Sequence, residues 1–267
     1  MSGLHAFTTE QLTFEHQTRT VYRRGSGPAV IVMSEIPGIT PAVIRFAEAV
    51  ATSGCTVVMP HLFGNDGHEA TGVQVALALT RACISREFTL FATGVSSPIV
   101  SWLRKLAAFE HERCGGPGVG AVGMCLTGGF ALAMLVEPSV IAPVMSQPSL
   151  PLAIGLLKKT RSARIDMSEA DLTTVKQRFA EDADLCVLAY RFSDDQLVPA
   201  ERFSYLQQEL QDRFIATTFP SSTKRDHSVL TEQLQRKALD EVLDFFQRRL
   251  LLSSEGLPPD ARGVHGT

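Results

Sequence analysis

No two of the five cysteines form a CxxC pair, and Cys55, Cys83, Cys114, Cys125 and Cys186 are odd in number and widely spaced. That spacing argues against a disulfide framework and against a structural zinc site, and leaves most of them as expected reduced, buried thiols. Strong charge of one sign is also lacking. The formal net charge is −3 and the Lys and Arg residues are scattered without a basic stripe, so there is no electrostatic case for a nucleic-acid partner. Met1 to Glu10 contains no basic segment followed by an apolar core, which predicts neither a secretory signal nor a membrane anchor and makes a cytoplasmic location the expectation. Internal repeats are lacking too, which excludes a solenoid.

What is present is ordinary globular material: 267 residues, 45% hydrophobic and 20% charged, enough for one large α/β domain with a substantial core. We expect that domain to occupy residues 1–252. The segment 253–267 carries Gly, Pro, Ser and charged residues that bury little apolar area, and is expected to be a flexible tail.

The one long uncharged run, Cys114 to Val136, is long enough to span a bilayer, but seven glycines and Pro117 lie inside it. A lipid-facing helix would lose backbone entropy at each of those glycines; a strand, an abrupt turn and a small-residue helix account for their clustering on either side of Cys125. Cys125 then stands at the apex of a candidate nucleophile elbow, a strained turn that thrusts its side chain outward while nearby glycines leave room for the neighbouring strand and helix.

Around this segment, strand and helix patterns alternate. Thr13 to Tyr22 is β-prone and is interrupted by Arg23 to Pro28 before the apolar run Ala29 to Met33, suggesting an entry hairpin or strand pair. Pro41 to Thr52 has helical spacing, with Gly54 placed to end it before a strand at Thr56 to Met59. After a polar loop, helical patterning covers Val73 to Ile84, and Pro98 suits the first position of a helix running towards His111. Beyond the elbow come an apolar run at Val140 to Met145, a helix over Ser168 to Ala183 with a Ser-x-x-Asp start, and a strand at Leu185 to Tyr190. A helix at Ala200 to Leu210, a strand at Phe214 to Phe219 and an amphipathic helix over Thr231 to Leu250 complete the pattern. This rhythm predicts a mainly parallel sheet covered by helices on both faces.

In such a sheet functional loops gather at the carboxyl ends of the strands, where Cys125, Asp195 and His227 all fall. Their order of nucleophile, acid and histidine is that of an α/β-hydrolase triad. A thiolate at Cys125 can attack a carbonyl, His227 can accept its proton, and a carboxylate can orient the imidazole. Asp195 is the preferred acid and Asp194 its near rival. The other cysteines are expected to be packed thiols, and His5, His16, His68, His111 and His265 to be surface or satisfied residues.

Ser34-Glu35-Ile36-Pro37-Gly38, Gly123-Met124-Cys125-Leu126, Asp195-Gln196-Leu197-Val198-Pro199 and Asp226-His227-Ser228-Val229-Leu230 occur in this order. On these motifs the chain resembles the dienelactone hydrolases, cysteine-dependent members of the α/β-hydrolase fold, over roughly residues 12 to 250 by element order. The resemblance implies hydrolysis of a cyclic enol ester, dienelactone, to maleylacetate, with no cofactor and a small-molecule ester or lactone as substrate; no nucleic-acid or membrane partner is expected. It implies that Glu35 helps generate the Cys125 thiolate, that the backbone N–H groups of Leu126 and Ile36 form the oxyanion hole, and that arginines hold a substrate carboxylate, for which Arg81 and Arg86 are the candidates. Thr127 departs from the family pattern, which has glycine two residues after the nucleophile, and implies a shifted or more crowded turn. Phe192 replaces a small residue before the acid loop, and Lys224-Arg225 add positive charge beside His227. A related ester or thioester hydrolase with another acyl group stays open, as does a non-catalytic ligand-binding or redox-responsive protein using Cys125. Monomer and homodimer are not distinguished.

Overall fold

A computed structural model describes residues 3–64, 66–69, 94–153 and 155–252. The expected helix at Val73 to Ile84, the candidates Arg81 and Arg86, Cys83 and the segment 253–267 lie outside the described residues. The entry strands are β1 (Thr8–Phe14) and β2 (Gln17–Gly25), joined by a tight turn in which Glu15 and His16 take φ of 51° and 65°. The expected interruption at Arg23 to Pro28 is therefore shorter than the sequence suggests, because β2 runs on through Arg23 and Arg24. Arg23 can stay in the buried sheet because its guanidinium binds Glu110 and Glu10.

From β3 (Ala29–Met33) the chain passes through α1 (Pro41–Thr52) to β4 (Thr56–Pro60), then through α2 (Ile99–Cys114) to β5 (Val119–Met124). A single tight turn, Cys125–Thr127, leads into α3 (Gly128–Ala133), followed by β6 (Val140–Ser146), the short α4 (Lys158–Ser162) and α5 (Glu169–Glu181). Then come β7 (Val187–Phe192), α6 (Ala200–Leu210), β8 (Phe214–Phe219) and α7 (Arg236–Phe246), which runs on as a π-helical turn over Gln247–Leu251. The eight strands form one sheet in the order β1-β2-β4-β3-β5-β6-β7-β8; β1 and β2 pair antiparallel, β2 joins β4 antiparallel, and the rest are parallel.

Alternation along the central strands explains why they read as unbroken apolar runs. Ala29, Ile31 and Met33 of β3 face a core shared with α2, α3, α5 and α6, whereas Val30 and Val32 face a second core shared with α1 and α7. Each strand is thus buried on both faces, as the parallel arrangement requires. The uncharged run contributes β5, the turn and α3, and among the described residues no helix is long and apolar enough to cross a membrane.

Two expected boundaries move for identifiable reasons. The strand expected at Leu185 to Tyr190 starts at Val187 and extends to Phe192, since Phe192 pairs in register with Phe219 and packs against its ring in the core. The last helix begins at Arg236 rather than Thr231, because Thr231 gives its hydroxyl to Glu35 and the Gln235 N–H donates to the Val229 carbonyl. Thr231 to Gln235 is thereby held as a loop.

Candidate active site

Cys125 follows β5 directly and takes φ of 57°, a left-handed conformation that a non-glycine residue holds only when its surroundings enforce it. The enforcement is visible on both flanks. A Cβ on Gly123 would lie 2.0 Å from the Thr127 carbonyl oxygen, and one on Gly128 would lie 2.5 Å from the Pro148 Cα, so neither position admits a side chain without movement. Thr127 does not crowd the turn. Its φ of −88° is right-handed, and its hydroxyl accepts from the Met124 N–H at 2.9 Å while the Met33 carbonyl lies 3.0 Å away as an acceptor. The carbonyls of Met124 and Ser34 also lie within reach of the same hydroxyl, at 2.9 and 3.3 Å, so the threonine sits between the elbow and the end of β3.

Past β7, Asp195 is buried and its Oδ1 accepts from the Leu197 N–H at 2.9 Å. Its other oxygen, Oδ2, lies 2.7 Å from His227 Nδ1. Asp194 is exposed, its N–H donating to Ser221 Oγ, which separates the two aspartates that the sequence leaves as rivals. With Nδ1 engaged by a carboxylate, Nε2 is the nitrogen left for chemistry; it is buried, and the Cys125 side chain is close enough to interact with the imidazole. Burial works to lower the His227 pKa, but the nearby Cys125 sulfur and the Asp195 carboxylate outweigh it and hold the imidazole well above its usual range. That environment favours the imidazolium form of His227.

Glu35 is buried just beyond β3, and its carboxylate accepts from three side chains: Gln147 at 3.1 Å, Ser228 at 2.7 Å and Thr231. Gln147 follows β6, while Ser228 and Thr231 lie in the histidine loop just after His227, so Glu35 ties its own loop to two others that converge on the site. The sulfur of Cys125 accepts instead from Ser149 Oγ, at 3.6 Å. Leu126 occupies the tight turn after the cysteine, and Ile36 follows Glu35 and packs against the core cluster that contains Cys125. Lys224 and Arg225 are exposed.

Ser149, Gln147, Ser228 and Thr231 were not foreseen from sequence. Their one available signal is place: Gln147 and Ser149 are polar residues in a proline-containing loop immediately after an apolar strand, where α/β sites are built. Outside the site, Cys55 is buried but Cys114 and Cys186 are only half-buried, contrary to the expectation for the accessory cysteines; burial nevertheless raises the pKa of all three thiols. All four described cysteines are free.

The chain matches a known family model, that of the dienelactone hydrolase family, over residues 17–250. The chain belongs to the dienelactone hydrolase family. A Saccharomyces cerevisiae protein named "Putative carboxymethylenebutenolidase" is 23% identical over 228 residues, covering 83% of this chain and 77% of the yeast protein. The fold is shared with the dienelactone hydrolase from Anabaena variabilis, at a TM-score of 0.58 and 16% identity over 91% of this chain and 98% of that one. It is shared also with the thioesterase domain from the curacin biosynthetic pathway, at a TM-score of 0.55 and 10% identity over 91% of this chain and 99% of that one. Family membership makes this member of the dienelactone hydrolases a hydrolase.

Proposed function

We propose that this protein opens a cyclic enol ester of the dienelactone type to maleylacetate through an acyl-cysteine intermediate, acting on a small-molecule substrate. The observation that carries this reading is the pairing of His227 with the buried Asp195 beside a cysteine at φ of 57°, whose sulfur acts on the same imidazole. In the first half-reaction the Cys125 thiolate adds to the lactone carbonyl carbon. The backbone N–H groups of Leu126 and Ile36 are assigned to the oxyanion. Collapse breaks the ring C–O bond, and the enolate oxygen takes the proton from His227 Nε2, leaving a thioester. In the second, His227 accepts a proton from water as the water oxygen attacks the thioester carbonyl, and the sulfur leaves as thiolate. The enol released tautomerises to the ketone. Asp195 keeps the imidazole oriented and stabilises its cation.

The test is steady-state hydrolysis of cis- and trans-dienelactone by the purified protein, set beside a linear ester and an acyl thioester of matched size. Turnover of a lactone with kcat/KM at least tenfold above both linear substrates supports the reading. Preference for the linear ester or thioester would assign another acyl group to the same thiol chemistry, and stoichiometric thiol modification without turnover of any of them would overturn hydrolysis altogether.

A further inference from the structure

Ser149 is completely buried, and its place is fixed from several directions. Its N–H donates to the Cys125 carbonyl at 2.9 Å, so the serine and the cysteine share a backbone link. The carbonyls of Pro148 and Pro151, on either side of it, accept from the Arg202 guanidinium at 2.7 and 2.6 Å. From this position the hydroxyl has two acceptors within reach, the Cys125 sulfur at 3.6 Å and the Gln147 carbonyl oxygen at 3.1 Å, but only one proton to give.

We propose that Ser149 is a further catalytic residue, whose hydroxyl donates to the Cys125 sulfur whenever that sulfur is anionic and turns to the Gln147 carbonyl when the sulfur is a thiol or thioester. A hydrogen bond to an anion is about twice as strong as one between neutral groups, so the thiolate wins the proton and a neutral sulfur, a poor acceptor, loses it to the carbonyl. Exclusion of water from the hydroxyl strengthens the preference, because no solvent competes for the donor. The device is used twice per turnover: it favours the nucleophile before attack and the thiolate leaving group when the thioester breaks down. Since no heavy atom has to move, only rotation about the Cβ–Oγ bond separates the two settings.

The inference rests on Cys125 as the nucleophile, and its test can be read without turnover. The rate of iodoacetamide alkylation of Cys125 is followed against pH for the wild type, Ser149→Ala and Ser149→Thr, with Cys125 separated from Cys114 by fragment-ion mass spectrometry after proteolysis. Loss of one charge-assisted hydrogen bond is expected to raise the midpoint for thiolate formation in Ser149→Ala by about 0.5–1 pH unit. The kcat/KM for the lactone should fall about 5–50-fold, and Ser149→Thr, which keeps the hydroxyl, should return the midpoint towards the wild type. An unchanged midpoint in a folded Ser149→Ala protein would overturn the role of the serine. Retained hydrolysis by Cys125→Ala would instead overturn the nucleophile assignment, a separate result.

Discussion

Two aspartates stand side by side at 194 and 195, and the curvature of the loop after β7 gives them opposite surroundings: one faces solvent, the other is buried against His227. Asp195→Asn is expected to lower kcat by about 10²–10⁴-fold with the fold retained, whereas Asp194→Asn should stay within about twofold of the wild type in the same assay. Glu35 is a second case in which the environment defines the residue. Its carboxylate only accepts, and three donors converge on it. Glu35→Gln presents an NH₂ to at least one of these donors and is expected to cost about 1–3 kcal/mol in urea denaturation. The sequence could name both positions, because residue type and order suffice for that. It could not show which oxygen meets which donor, nor that Ser149 touches the sulfur, since those contacts join residues as much as 196 positions apart.

At the scale of elements, the elbow is held by contacts that residue-by-residue substitution obscures. Thr127 at the place of the family glycine suggests a crowded turn, yet the tight approaches fall on Gly123 and Gly128, and the threonine hydroxyl works as a clamp between β5 and β3. Thr127→Val, which keeps shape but not hydrogen bonding, is expected to destabilise the protein by about 1–3 kcal/mol, while Thr127→Ser should recover most of the loss. Arg202 has a comparable role one layer away. Its buried guanidinium donates to the carbonyls of Arg164, Pro148, Pro151 and Arg161, bracing the Ser149 loop from α6, and burial lowers its pKa to about 10. An arginine on an amphipathic helix looks solvated in sequence; nothing in the periodicity of α6 signals that this one points inward. Helix and strand order, by contrast, was largely legible in the described residues, because apolar periodicity and capping residues are local; the exceptions are α4, too short and polar to show a period, and the hairpin turn at Glu15–His16, which splits the segment Thr13 to Tyr22. Ser168, for example, accepts from the Asp171 N–H as the Ser-x-x-Asp pattern predicts.

For the whole molecule, the doubly covered parallel sheet follows from strands that are apolar on both faces, and the three site residues converge because each follows a strand at the same edge. One buried charge links the fold to pH. Asp166 is fully buried beneath α3, with Oδ1 unpartnered and placed where a Cβ on Gly129 would stand. Burial raises its pKa from 3.8 to about 7, against the opposing effects of its own backbone N–H, Arg202 and the Ser97 hydroxyl. Between about pH 4 and 7 the folded chain therefore binds more protons here than the unfolded chain, so this group makes stability fall as pH rises through that window and level off above it. Asp166→Asn should gain stability relative to the wild type as pH is raised from 4 to 7, measured by urea denaturation at several pH values; parallel curves would show that Asp166 carries no such linkage.

The most direct measurement is dienelactone turnover by Cys125→Ala beside the wild type, with circular dichroism to establish that both are folded. Wild-type turnover with a loss of at least about 10³-fold in the folded variant is the predicted result, since removal of a covalent nucleophile leaves only binding and the oxyanion site. Hydrolysis by the variant at the wild-type rate would contradict the account.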